Sequence, residues 1–321
     1  MLNENEDVRV QKSTCSFIAV IGAPNAGKST LVNAMVGAKV SIVTHKVQTT
    51  RARVRGVVVE GAAQLVLIDT PGIFTPRRRL DRAMVAAAWE GLDGADQTLL
   101  LVDATWFSGD IETKKVAASR RAREDTMRII DGLKESGQRA HLVLNKIDLL
   151  ARDKLLKVIT DLNEHGVFDE TFLISAANGD GVSDLKNYLV KHAPAGPWMY
   201  PENHLSDMTD RLMAAEVTRE KLFLRLHEEL PYQSTVETTD WSRTKKRELR
   251  IEQTIFVSRE SHKPIFLGKG GATVKAVGEA AREELQELLG EKVHLFLHVK
   301  VRENWADENA RLREMGLNPV Q

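Results

Sequence analysis

Short apolar, β-branched runs recur at residues 17–21, 54–59, 65–68, 99–102, 141–144 and 172–174, separated by stretches with helical spacing. Alternation of this kind predicts strands joined by crossover helices, an α/β arrangement with a six-stranded, mainly parallel sheet covered on both faces. Only Glu60, Gly61, Ala62, Ala63 and Gln64 separate the second run from the third, so these two should form a hairpin and one strand should be antiparallel.

The pattern breaks at residues 192–207, where Pro194, Gly196, Pro197 and Pro201 resist both helix and central strand and predict a linker. A helix is expected over about 211–229, with Pro231 just past it, then strands over 234–241 and 249–257. A glycine cluster at 268–271, a helix to about Leu289 and an alternating strand over 292–301 complete a smaller α+β unit. The expected limits are a flexible N-terminus at 1–14, a first domain at 15–192, a linker at 193–207, a second domain at 208–305 and a tail at 306–321. On the last strand, period two puts His294, Phe296, His298 and Lys300 on one face and Val293, Leu295, Leu297 and Val299 on the other. The histidines read as exposed sheet residues, since no cysteine or carboxylate cluster accompanies them. Arg302, Trp305 and the tail are expected to close over the second domain.

With 321 residues, 42% of them hydrophobic, the chain can bury two cores. Lysine plus arginine and aspartate plus glutamate both total 45, so only local charge can identify a partner. Residues 241–302 carry 13 Lys/Arg against 8 Asp/Glu, a basic excess of the kind a phosphate-binding face shows. Cys15, the single cysteine, cannot form an intrachain disulfide, and the start of the chain is polar and acidic where a signal peptide is basic and then apolar. No apolar run approaches membrane-spanning length. A reduced, cytoplasmic protein is expected.

Gly22-Ala23-Pro24-Asn25-Ala26-Gly27-Lys28-Ser29 has two glycines followed by lysine and a hydroxyl residue, after a strand and before the helical run that Thr30 opens. Such a loop turns backbone N–H groups around phosphate oxygens; Lys28 supplies a cation for the β and γ phosphates and Ser29 a ligand for magnesium. Asp69-Thr70-Pro71-Gly72 ends an apolar strand, where the carboxylate can hold magnesium through water while the Gly72 N–H faces the γ-phosphate. Asn145-Lys146-Ile147-Asp148 follows another strand, and the Asp148 carboxylate can accept from both guanine N1–H and the 2-amino group, donors adenine lacks. Ser175-Ala176-Ala177 comes after a further strand, with the Ala176 N–H in place for guanine O6.

Four motifs in this order, each at a strand end, resemble the translation-factor-like branch of Ras-like GTPases. The resemblance implies that Gln48-Thr49-Thr50-Arg51 is the first switch and that Thr50 reaches magnesium in the triphosphate state; sequence leaves Thr49 as the alternative. Many such enzymes orient the attacking water with a glutamine where this chain has Ile73, so intrinsic hydrolysis should be slow. In related GTPases without it, an asparagine at the position of Asn25 helps hold potassium against the phosphates, and potassium is therefore a candidate second cation. The catalytic set is then Lys28, Thr50, Gly72 and Asn25.

Gly268-Lys269-Gly270-Gly271, followed by a helix, fits the glycine loop of a KH domain, in which absent side chains let a nucleic-acid backbone approach and Lys269 meets phosphate. The expected basic face combines Arg243, Lys245, Lys246, Arg247, Lys269 and Lys275. Phosphate loop, Gln48 to Arg51, Gly196-Pro197-Trp198, Gly268 to Gly271 and Val299-Lys300-Val301 ahead of Trp305 together resemble the Era family of GTPases over nearly the whole chain. That resemblance implies a type II KH domain, GTP and GDP as ligands, binding near the 3′ end of 16S ribosomal RNA, a role in maturing the 30S subunit, a monomer, and loose contact with the inner membrane. Ala26 and Val47 replace the family's usual valine and proline, and residues 105–139 form an unusually long segment with a charged run at 120–125. Two other readings stand beside this one: a signalling GTPase whose last domain binds protein, and an RNA-modifying enzyme switched by GTP. The second lacks any nucleophilic cysteine, metal cluster or further cofactor motif beyond residue 190.

Overall fold

β1 (Thr14–Gly22), β2 (Val54–Glu60), β3 (Ala63–Asp69), β4 (Gln97–Asp103), β5 (Ala140–Asn145) and β6 (Phe168–Leu173) form one sheet in the order β2-β3-β1-β4-β5-β6. All neighbours are parallel except β2 and β3. The computed structural model describes residues 13–46, 49–109, 116–226 and 230–318. Glu60 pairs with Ala63, so the hairpin turn is two residues, shorter than the five-residue gap between apolar runs. β6 begins at Phe168 instead of residue 172, because its Asp169 and Glu170 are exposed on an edge strand and carry no apolar signature.

Alternate residues of each central strand serve opposite faces. Leu99 and Leu101 meet α1 (Lys28–Val36) and α5 (Val182–Lys191), whereas Leu100 and Val102 meet α2 (Arg79–Glu90), α3 (Val116–Ser136) and α4 (Arg152–Asn163). Burial on both sides accounts for the continuous apolar runs. The parallel strands β1, β3, β4 and β5 all end at one edge, which brings Gly22, Asp69, Asp103 and Asn145 to the same side of the molecule.

The second domain runs α6 (Asp210–Arg225), β7 (Ser234–Arg243), β8 (Leu249–Val257), α7 (Lys263–Leu267), α8 (Ala272–Leu289) and β9 (Val293–Val301). β8 pairs antiparallel with β7 and parallel with β9, and α6 and α8 cover one face of this sheet. α7, with Pro264 as its second residue, occupies the apolar run ahead of the glycine loop. Outward residues of β9 alternate as expected; His294 meets Glu248 at 2.7 Å, and no group of three potential metal ligands occurs among the described residues.

The proline-spaced segment is extended and tied down. Cys15 N donates to Pro194 O at 3.1 Å, Val57 N to Leu205 O at 2.9 Å, and buried Gln64 accepts from Met199 N and Tyr200 N. The tail closes over the second domain as expected, with the Arg302 and Arg311 guanidiniums 5.8 and 4.6 Å from the Phe256 ring, and it also reaches the first domain. Trp305 and Leu312, the latter on α9 (Asn309–Glu314), join Leu317 against Phe74, Leu80, Ala83, Met84 and Ala87 of the first domain. Trp305 also donates through Nε1 to Ser258 Oγ at 3.0 Å, so one indole spans both domains. Trp305→Ala is expected to cost about 3–5 kcal/mol, read as a lower midpoint of urea denaturation by circular dichroism, with Trp305→Phe intermediate; an unchanged midpoint would show that the tail contributes little.

Candidate functional site

The phosphate-loop sequence turns from the end of β1 into α1. Gly27 precedes the helix at φ 101°, and a Cβ there would lie 2.2 Å from Asn145 Nδ2, so only glycine fits. Asn25 also takes positive φ, 63°, a conformation asparagine tolerates. Lys28, 6% exposed, folds its ammonium back onto Gly22 O (3.1 Å) and Ala23 O (3.0 Å). Burial pulls the Lys28 ammonium down to about 8, and Asp69 pushes the other way. A cation so poorly solvated, at a helix N-terminus, is a strong attractor for an anion. Thr30 lies in the first turn of the same helix.

Ser29 Oγ lies 2.8 Å from Thr50 Oγ1 and donates to Asp69 Oδ2 at 2.7 Å; Thr50 Oγ1 is 3.5 Å from the same carboxylate oxygen. Asp69 is fully buried, its Oδ1 has no partner, and burial pushes its carboxyl above the usual range. Two hydroxyls and a half-satisfied buried carboxylate form a hard-oxygen set that fits magnesium. The two threonines left open by the sequence differ in geometry: the Thr49 hydroxyl turns away to Thr44 Oγ1 (2.6 Å) and Lys46 O (2.8 Å). Gln48, also assigned to the first switch, lies outside the described residues. Arg51 is buried, donates to Ser234 O of the second domain at 3.0 Å, and is pulled by burial, with Arg219 adding to the effect, down to about 9. Thr70 and Pro71 are buried at the end of β3, Thr70 Oγ1 donating to Val20 O. Gly72 lies against Pro24. Ile73 is fully buried and gives its N–H to Gly22 O at 3.1 Å, leaving no side chain to meet a water.

At the end of β5, Asn145 ties three loops together: Nδ2 donates to Ala26 O at 2.8 Å, while Oδ1 accepts from Lys146 N and Ala176 N. Ala176 N–H, expected to face guanine O6, is thus used at 2.9 Å by the Asn145 side chain. Lys146, at φ 65°, stretches to Asn25 O (3.0 Å) and Asp103 Oδ2 (2.6 Å), lying across the site like a lid on the loop. Asp103 went unread in the sequence, although an acidic residue closing a central strand is the same signal that marked Asp69. Asp148 follows Ile147 in a single helical turn and is exposed. Ser175 and Ala176 are buried and Ala177 is exposed.

In the second domain Gly268 sits at φ 76°, where a Cβ would fall 2.3 Å from Thr273 Oγ1; Gly270 and Gly271 also have positive φ, and Lys269 and Lys275 are exposed. The single basic face expected from the sequence divides in two. Because β8 and β9 are parallel, α8 must carry the chain back to the level of the β7–β8 turn. The glycine loop is at the start of this 18-residue helix, and the hairpin with Arg243, Lys245, Lys246 and Arg247 is at its far end, about 27 Å away at the usual helical rise. Arg243 is fixed there by Glu291, at 2.7 and 3.0 Å.

Residues 17–146 match a family model described as a 50S ribosome-binding GTPase, and residues 229–306 match the KH domain. The GTPase Era of Caulobacter vibrioides is 55% identical over 307 residues, 96% of this chain and 97% of that protein. The GTPase Era of Dinoroseobacter shibae is 56% identical over 302 residues, 94% of each chain. A crystal structure of Era in complex with MgGDPNP and nucleotides 1506–1542 of 16S ribosomal RNA matches with a TM-score of 0.85 and 34% identity, covering 95% of this chain and 99% of that one. Taken with the strand-edge loops and the glycine loop described above, these matches establish that the chain belongs to the GTPase Era family, proteins that hydrolyse GTP with a Ras-like domain joined to a KH domain.

Proposed function

We propose that this chain binds GTP and GDP along the carboxyl edge of the first sheet and, through its KH domain, holds 16S ribosomal RNA near its 3′ end during assembly of the 30S subunit. The observation that carries the first half is the meeting of Ser29, Thr50 and Asp69 oxygens beside the buried Lys28 ammonium. Support for the second half comes from the glycine loop and from the related Era solved with MgGDPNP and nucleotides 1506–1542 of 16S ribosomal RNA.

In this reading, Gly22 to Thr30 wrap the phosphates and Lys28 neutralises charge on the β and γ oxygens. Ser29 and Thr50 would hold magnesium directly and Asp69 through water; when bound, the ion supplies further neutralisation of the phosphate oxygens. The Gly72 N–H, with Thr70, Pro71 and Ile73 alongside, faces the γ-phosphate. Ile73 cannot orient water, so hydrolysis by the protein alone is slow. Asn145 to Asp148 and Ser175 to Ala177 surround the base, Asp148 selecting guanine. Potassium belongs to the same reading, motivated by Asn25, whose side chain meets the His45 carbonyl at 3.0 Å, together with Ile73. Lys269 and Lys275 flank the RNA backbone at the glycine loop, and the Arg243 to Arg247 hairpin meets a separate part of the nucleic acid. The reading also includes a cytoplasmic monomer with loose, peripheral membrane contact; no helix among the described residues is long and apolar enough to cross a membrane.

Asp148→Asn is expected to weaken GTP binding about 100-fold or more and to improve binding of xanthosine triphosphate, whose 2-oxo group accepts from the amide. Fluorescent-nucleotide titration checks this, and unchanged GTP affinity would remove Asp148 from the base site. For the KH domain, Lys269→Ala should weaken binding of a 16S 3′-end oligonucleotide and lower the slope of log affinity against log salt by about 0.7. Gly270→Asp should abolish that binding, and full binding by both variants would point the domain to another partner. Hydrolysis should run faster in potassium than in sodium at equal ionic strength; equal rates would eliminate the second cation.

A further inference from the structure

The segment carrying Thr50 is held from the other domain. Arg219, on α6, is 1% exposed and donates through Nη2 to the backbone carbonyl of Thr49 at 2.6 Å, while its Nε donates to Glu216 Oε1 at 2.7 Å. The next residue, Glu220, accepts from Val43 N at 2.9 Å and from Lys39 Nζ at 2.6 Å. On the other side of Thr50, the Arg51 guanidinium lies 5.4 Å from the Trp305 ring and 5.9 Å from the Phe223 ring. Thr50 is thus bracketed by two residues anchored in the second domain, and its hydroxyl is the one that reaches Ser29 and Asp69.

We propose that Arg219 is a positioning residue for GTP hydrolysis: from the RNA-binding domain, it fixes the Thr49–Thr50 peptide so that the Thr50 hydroxyl faces the phosphates. The inference rests on the reading of Thr50 as a magnesium ligand. Its physical basis is rigidity, because the peptide unit is planar and gripping the Thr49 carbonyl sets the plane that carries the Thr50 nitrogen and leads to its Cα. Arg219 suits the task because its planar guanidinium holds two acceptors in fixed directions. Should the first switch withdraw, a buried guanidinium would lose an acceptor, which is costly, so the switch position and the seating of α6 stabilise each other. The GTPase domain by itself therefore holds Thr50 less firmly than the full chain does.

The test compares full-length Arg219→Ala, Arg219→Lys, Glu216→Gln and Thr50→Ala in two measurements: kcat and KM for GTP, and equilibrium affinities for fluorescent GDP and a fluorescent non-hydrolysable GTP analogue with magnesium. Arg219→Ala should lower kcat about 10- to 100-fold and weaken the triphosphate analogue selectively, leaving GDP affinity within about twofold. Arg219→Lys, which keeps a donor but not the fork, should recover part of both, and Glu216→Gln should fall between wild type and Arg219→Ala. Normal kcat and analogue affinity in Arg219→Ala, with losses in Thr50→Ala, would overturn the proposal while leaving the reading of Thr50 standing. Normal behaviour of Thr50→Ala would remove that reading and the proposal with it. An equal loss of GDP and analogue affinity in Arg219→Ala would show a structural role only; if that variant does not fold, Arg219→Lys and Glu216→Gln decide by the same two criteria.

Discussion

At the first turn of α1 a lysine ammonium sits where water scarcely reaches it, held by the carbonyls of Gly22 and Ala23. An unpaired charge in such a place costs free energy until an anion arrives, and the surrounding structure serves to keep the place ready. Parallel strands deliver Gly22, Asp69, Asp103 and Asn145 to one edge, the two helical layers seal both faces, and Asn145 fastens the base-side loops to the phosphate loop. Lys146, clamped between Asn25 and Asp103, fixes the spacing between the loop after β1 and the ends of β4 and β5.

The second domain shares in the same arrangement. Arg219, Glu220, Ser234 and Trp305 all meet the stretch between residues 39 and 51, and Trp305 and the tail cover α2, which follows Asp69 to Ile73. Both loops whose positions depend on the γ-phosphate in Ras-like enzymes are thus in contact with the KH half of the chain or the tail that follows it. Arg51, with Phe223 and Trp305 beside its guanidinium and Arg219 close by, is an expensive residue to bury. Its cost is offset only while the two domains stay together, which makes the domain interface sensitive to where the first switch lies.

Local rules made much of this molecule legible. The glycines at 268–271 marked the start of α8, and the helix stops after Leu289 as expected because Gly290 takes the positive φ that a helix end needs. Lys28-Ser29 and Asp69 stood out in the sequence by their types at strand ends, and the structure brings the Ser29 hydroxyl onto the Asp69 carboxylate with the buried Lys28 ammonium in the same loop. β6 was shortened in the reading because an edge strand exposes polar residues, and the linker's backbone partners in β1 and β2 were not foreseen because proline content says nothing of them.

Sequence by itself determined the class of sheet, the order of the nucleotide motifs and the glycine loop, since each is encoded in neighbouring residues by period, backbone freedom or side-chain chemistry. Tertiary structure alone decided that Thr50 and not Thr49 turns toward Asp69, that the basic residues fall at opposite ends of α8, and that Arg219 grips a carbonyl 170 positions away. Those outcomes depend on contacts between distant segments, whose geometry exists only once two cores have formed and pressed together.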